Sequence, residues 1–67
     1  MNLVINGDQM EVPGTISTIS DLLHHFGLGN KVIMIELNTK IIDKAFHAET
    51  SLSDGMRVEI VHFVGGG

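Results

Sequence analysis

The spacing of hydrophobic and polar residues changes along the chain, and each change predicts a new element. Residues 1–12 read as two short strands around Asn6-Gly7. Asn-Gly is the strongest short-range hairpin signal, because a type I′ turn needs positive φ at two successive residues. In the second strand, Met10 and Val12 fall on one face and the polar residues Gln9 and Glu11 on the other. We therefore predict an opening β-hairpin.

Between Thr15 and Phe26 the period changes from two to 3.6. Four apolar residues form one stripe at the spacing i, i+3, i+4 and i+7: Ile19, Leu22, Leu23 and Phe26. Thr18 followed by Asp21 favours an N-terminal cap, and Gly27 suits the position just beyond a helix end. The pattern predicts a short helix that is stable only when its apolar stripe packs on a sheet.

Three further strands follow this helix. The charge of Glu36 sets the facing of the strand Val32–Leu37: Ile33, Ile35 and Leu37 point inward, and Met34 and Glu36 point outward. Asn38-Thr39-Lys40 turns the chain into the short apolar piece Ile41-Ile42. Residues 56–64 form the last strand, in which Met56, Val58 and Ile60 share a face opposite Arg57 and Glu59.

The stretch from Asp43 to Ser53 has weak periodicity, so we expect a loop with a turn of helix. Its candidate packing residues are Ala45, Phe46, Ala48 and Leu52. Asp54-Gly55 then predicts a turn into the last strand.

The order of these elements is hairpin, helix, strand, short strand and long last strand. It predicts an α+β protein of the β-grasp (ubiquitin-like) type, with a mixed sheet of four to five strands and one main helix packed on one face. In that fold the last strand runs beside the first, in the middle of the sheet. We assign residues 1–64 to the domain and residues 65–67 to a flexible glycine tail.

Composition removes several classes of function. The 67 residues include no cysteine, which excludes disulfides, thiolate nucleophiles and Cys-ligated metals. Eight acidic residues against four scattered basic residues give a net charge of -4, which argues against nucleic-acid binding. The longest apolar run, Val32–Ile35, is too short to cross a membrane. We expect a cytoplasmic protein that binds neither nucleic acid nor membranes.

The tail Gly65-Gly66-Gly67 is the candidate reactive segment. Glycine has no Cβ, so this tail can enter a passage too narrow for other residues and present its terminal carboxylate there. A frayed terminus or an expression scar is the alternative interpretation. Val4, Met34, Val61 and Phe63 are expected on the sheet face opposite the helix, where they would form a docking patch for a partner. Chance placement in so hydrophobic a chain is the alternative interpretation.

The four histidines do not predict a metal site. His24 and His25 are adjacent on the helix, so their side chains diverge by about 100°. His47 falls in the poorly patterned loop, and His62 is expected on the same face as Ile60 near the sheet edge. We predict structural or solvent-facing roles for them, and no bound cofactor or metal.

Over nearly its whole length the chain resembles the ThiS family, the sulfur carriers that serve synthesis of the thiamin thiazole. The resemblance rests on Asn6-Gly7, Asp21-Leu22-Leu23, Glu36-Leu37-Asn38, Leu52 to Ile60, and His62-Phe63-Val64-Gly65-Gly66-Gly67. One departure is Met56, where such proteins commonly have Asp after the turn glycine; it leaves the local turn in question.

The resemblance implies a protein co-substrate rather than an enzyme, with no catalytic residues of its own. A ThiF-like adenylating enzyme would use ATP to activate the carboxylate of Gly67, and a sulfur donor such as a cysteine desulfurase would supply sulfur for a thiocarboxylate. A ThiG-like thiazole synthase would then use this thiocarboxylate. Gly65 and Gly66 would give passage into the enzyme, and Phe63 with neighbours including Val64 would give docking. The alternatives are the small subunit of molybdopterin synthase and another ubiquitin-like carrier, modifier or interaction module.

Overall fold

One five-stranded sheet and one α-helix form the framework of the described chain. The computed structural model describes residues 1–29, 31 and 33–62. Within these ranges the strands are β1 (Asn2–Ile5), β2 (Asp8–Glu11), β3 (Ile33–Leu37), β4 (Lys40–Ile42) and β5 (Arg57–His62), with helix α1 (Ile19–His25) and a 3-10 helix (Lys44–Phe46).

The strand order places the last strand in the middle of the sheet. That order is β2-β1-β5-β3-β4. β1 and β5 run parallel, whereas the other neighbours are antiparallel. The chain reaches β3 from the hairpin through α1, so the sheet is mixed with the helix on one face. The predicted fold class is confirmed.

The hairpin turn has the predicted geometry. Asn6 and Gly7 have φ values of 50° and 87°, as a type I′ turn requires. The register pairs Leu3 with Met10, which places Met10 on the helix side of the sheet. Because β2 is an edge strand, however, Met10 remains 38% exposed.

Both ends of α1 are capped by local hydrogen bonds. The Asp21 N–H donates to Thr18 Oγ1 at 3.2 Å, and the Thr18 N–H donates back to Asp21 Oδ2 at 3.1 Å. The backbone N–H groups of Ser17 and Thr18 and the Ser17 hydroxyl lower the pKa of the Asp21 carboxyl, since they bind its ionised form.

At the other end of α1, Gly27 has φ 72° and its N–H donates to the carbonyl of His24 at 3.0 Å. The N–H of Leu28 donates to the carbonyl of Leu23 at 2.8 Å, which completes a Schellman motif. Both predicted caps are confirmed.

The core lies between α1 and the sheet, and among the described residues its buried apolar side chains are all aliphatic. Its members are Leu3, Ile5, Val12, Ile16, Ile19, Leu22, Leu23, Ile35, Leu37, Leu52 and Val58. Phe26, Ile33, Met56 and Ile60 are partly buried against it. The inward faces predicted for β3 and β5 are therefore confirmed, and Ile16 joins the core from the segment before α1.

The segment between β4 and β5 departs from the prediction. Ala45, Phe46 and Ala48 are exposed, and of the four predicted packing residues only Leu52 is buried. His47 is buried in their place, with Nε2 3.1 Å from the carbonyl oxygen of Ile42. The expected turn of helix does form, as the 3-10 helix, and both of its apolar residues, Ala45 and Phe46, are exposed.

The turn before β5 forms despite the methionine that follows it. Gly55 has φ 86°, and its N–H donates to the carbonyl of Asn2 at 2.7 Å. The Asn2 N–H in turn donates to Asp54 Oδ1 at 2.6 Å. These two bonds tie the turn to β1, so that β5 begins beside β1.

Candidate docking face and carboxyl-terminal tail

β5 carries the chain toward its C-terminus from the centre of the sheet. It pairs with β3 from Leu37↔Val58 to Ile33↔His62, and with β1 on its other side. The backbone is thus held in the sheet as far as His62, five residues before Gly67. Phe63, Val64 and Gly65 to Gly67 lie outside the described residues, and the roles assigned to them remain predictions.

Two asparagine side chains hold β5 from opposite sides. The Ile60 N–H donates to Asn6 Oδ1 at 2.7 Å, and Asn6 Nδ2 donates to the Ile60 carbonyl at 3.3 Å. The Arg57 N–H donates to Asn38 Oδ1 at 2.9 Å. Both asparagines sit in turns with positive φ, at 50° and 48°.

Sequence reasoning identified these two asparagines only as turn residues. Their second role depends on which strand lies beside each turn, which local sequence does not reveal. Asn6 and Asn38 therefore position the strand that leads to the tail, in addition to closing their turns.

On the sheet face opposite α1, which we call the outer face, the predicted apolar residues are divided. Met34 and Val61 are direct cross-strand partners, and Val61 is 37% exposed. Val4 instead lies beside Arg57, four residues from Val61 along the chain and so about 13 Å away along the strand direction. Among the described members of the predicted patch, Met34 and Val61 thus form one apolar pair near the end of β5, and Val4 is set apart from it.

An acidic pair lies next to Met34 and Val61 on the outer face. Glu36 and Glu59 are directly opposed between β3 and β5, and Ile41, which is 65% exposed, is the partner of Glu36 on β4. Like charges directly opposed across strands destabilise a sheet. Sequence reasoning placed Glu36 and Glu59 outward but missed their opposition, because it depends on the register of two strands distant in sequence.

The histidines lie in separate environments. His24 and His47 line a cavity beside α1, whereas the ring of His25 meets that of Phe26 edge-on at 5.2 Å. His62 lines a groove with Ile60, as predicted, and is the last residue of the central strand β5. In the part of the chain that is described, no three His, Asp or Glu side chains gather as a metal site would require.

Over the described ranges, α1 and the 3-10 helix are both too short to span a bilayer.

Comparison with known proteins gives a consistent result. The model of the ThiS family matches residues 3–67. The chain is 43% identical to the sulfur carrier protein ThiS of Bacillus subtilis, over 97% of this chain and 98% of that protein. It also superposes on the crystal structure of the thiamine biosynthesis protein ThiS from Geobacter metallireducens with a TM-score of 0.83 and 32% identity, over the full length of both chains.

A third relative has a different length. The whole chain is 36% identical to part of a thiazole synthase of Paramagnetospirillum magneticum, and the matched part is 20% of that protein. A segment similar to this entire chain is therefore contained in a polypeptide about five times as long.

Proposed function

The chain belongs to the ThiS family, and on that premise we propose that it is a sulfur carrier of thiamin biosynthesis whose Gly67 carboxylate accepts and delivers the sulfur. The observation that carries this proposal is the position of β5. The strand that precedes the glycine tail is central, hydrogen-bonded on both sides, and held by two asparagine side chains. A rigid strand followed by a tail without side chains suits a carrier that presents its terminus to enzymes.

The proposed chemistry begins with activation of the carboxylate. A carboxylate is a poor electrophile, so a partner enzyme transfers AMP from ATP to Gly67 and releases pyrophosphate. In the simplest balance, hydrosulfide then attacks the acyl carbon, the bond to the AMP oxygen breaks, and AMP leaves with the electron pair. The product is a thiocarboxylate on Gly67. In the cell, a donor such as a cysteine desulfurase is the proposed origin of the sulfur.

The relative from Paramagnetospirillum supports thiazole synthase as the enzyme that receives the sulfur. A polypeptide named as that enzyme includes a segment similar to this whole chain. Joining two proteins in one chain raises their effective concentration for each other, which is useful when they act in sequence. We therefore propose a ThiG-like thiazole synthase as one partner and a ThiF-like adenylating enzyme as the other.

We assign docking of these partners to the outer face. Met34 and Val61 offer adjacent apolar side chains near the end of β5, so a partner bound there also lies near the tail. Glu36 and Glu59 oppose each other with like charge, and a cation on the partner would relieve that repulsion. The proposed partner surface is therefore apolar with a basic centre.

A matched pair of methionine substitutions tests the docking proposal. Met34→Ala is expected to weaken binding to the adenylating enzyme by about tenfold, equivalent to about 1.4 kcal/mol, because it removes a contact at the interface. Met10→Ala makes the same change on the helix side of the sheet and is expected to leave the dissociation constant unchanged. Titration calorimetry measures both, and an equal loss in the two variants would contradict the assignment.

The carrier role itself is tested by the intact mass of the chain. We expect incubation with ATP, sulfide and a thiazole-pathway adenylating enzyme to raise the mass by the difference between sulfur and oxygen. A chain lacking Gly67 is expected to show no change. If the full-length chain gains no mass while the same enzyme modifies a known carrier, the proposal is wrong, and the molybdopterin synthase and modifier alternatives become the next to test.

A further inference from the structure

A cavity of about 170 Å³ lies on the helix side of the molecule, away from the outer face. Its polar lining comes from three separate parts of the chain. Ser20 and His24 belong to α1, Lys31 to the segment after it, and Lys44 and His47 to the 3-10 helix and its C-terminal end. The cavity therefore exists only in the folded chain.

The charge of this lining is opposite to that of the protein. The chain has four Lys and Arg residues against eight Asp and Glu, yet two of those four cations, Lys31 and Lys44, line this single cavity. Two of the four histidines join them, and none of the lining residues in the described chain is a carboxylate. We propose that the cavity binds a small oxyanion of the phosphate class.

Backbone contacts hold the walls of the cavity in place without a ligand. The Ser20 N–H donates to the carbonyl of His47 at 3.1 Å, which ties α1 to the end of the 3-10 helix. The ring of His47 is itself held at the carbonyl of Ile42. The part of the wall formed by α1 and His47 is therefore already in place before an anion binds, which lowers the ordering cost of binding.

Gly29 also lines the cavity and lies next to His24. A Cβ at position 29 would lie 3.3 Å from Cδ2 of His24, which is shorter than most contacts that Cβ atoms make in proteins. Glycine thus lets the backbone approach the imidazole ring while leaving the cavity free.

The volume limits the size of the anion. At about 30 Å³ for each water molecule, the cavity holds the equivalent of five or six waters. Sites for drug-sized molecules measure about 300–1,000 Å³. Inorganic phosphate or pyrophosphate therefore fits, and a nucleotide does not.

This site is tested by titrating the ¹⁵N-labelled full-length chain with phosphate and recording NMR spectra. Chloride is the balancing anion that keeps the ionic strength constant. We expect saturable shifts at Ser20, His24 and Lys44. Lys44→Gln is expected to weaken binding about tenfold, as loss of one charge-assisted hydrogen bond implies. Lys40→Gln, which makes the same change of charge in β4 outside the cavity, is expected to bind like the wild type.

Several outcomes overturn the proposal. Shifts that do not saturate, or equal weakening in Lys44→Gln and Lys40→Gln, would show general screening of charge rather than a site. Binding of AMP as tight as that of phosphate or pyrophosphate would contradict the assignment to a small free oxyanion. If Lys44→Gln does not fold, Lys31→Gln replaces it, with the same weakening expected. The site is independent of sulfur transfer, so neither result depends on the proposed carrier role.

Discussion

Replacement of Gly66 by valine is expected to abolish adenylation of Gly67 while the domain folds as before. The reason is steric: a tail without side chains can enter a passage that a β-branched residue cannot. Gly66 has no side chain to bury, and we expect it to belong to the tail rather than to the domain. Pyrophosphate release by the adenylating enzyme, measured with each chain as substrate, gives the rate.

The control for this change is the same substitution at Gly14. A Cβ there meets no atom within 4 Å, and its φ lies outside the left-handed region. Gly14→Val is therefore expected to be adenylated at the wild-type rate. Equal rates for Gly66→Val and Gly14→Val would rule out the narrow-passage argument, and loss of thermal stability in Gly66→Val would show that the tail matters to the fold.

The second large effect is expected from Ile35→Ala. Ile35 is fully buried in β3, where it pairs with Ile42 and Ile60 on neighbouring strands. Removing a buried isoleucine side chain to alanine costs about 2–5 kcal/mol, including the cavity left behind. Domains of this size have a total stability of about 3–5 kcal/mol from a single core. We therefore expect Ile35→Ala to be largely unfolded at 25 °C.

Ile41→Ala is the matched control, because it makes the same change on the adjacent strand and on the opposite face. Ile41 is 65% exposed, so Ile41→Ala is expected to change the free energy of unfolding of the protein by no more than about 0.5 kcal/mol. Urea denaturation followed by circular dichroism compares the two. Similar losses at both positions would contradict the assignment of the core to the helix side of the sheet.

The accuracy of the sequence analysis varied with the range of the interactions that decide each feature. The hairpin turn and the two caps of α1 were predicted correctly because each depends on residues within a few positions of one another. The hairpin turn depends only on the φ values of Asn6 and Gly7. The N-terminal cap depends only on Thr18 and Asp21, which are one helical turn apart. The order of elements was then enough to predict the mixed sheet and the central last strand.

The segment between β4 and β5 could not be predicted in the same way. Its alanines and Phe46 are hydrophobic, which suggested burial, yet these side chains are exposed and His47 is buried. Hydrophobicity alone does not decide burial where periodicity is weak, because no regular face is defined. The burial of His47 becomes favourable only when the carbonyl of Ile42 is near enough to receive its hydrogen bond.

The sequence predicted which residues lie on the outer face, but it did not predict which of them are neighbours there. The alternation of residues along each strand assigns Met34, Glu36, Glu59 and Val61 to that face. Which of them stand opposite one another depends on the register between β3 and β5, whose residues are more than twenty positions apart. Because packing of the whole core decides the register, the sequence of neither strand alone predicts it.

The sequence by itself thus determined the elements, their order and the family, because periodicity, turn chemistry and short motifs are local properties of the chain; the reactive terminus at Gly67 stays a prediction from that sequence. Only the tertiary structure decided that Glu36 opposes Glu59, that Asn6 and Asn38 hold β5, and that Lys31 and Lys44 share a cavity with His24 and His47. Each of these depends on residues that are distant in sequence, and they meet only when burial of the aliphatic core brings helix and sheet together.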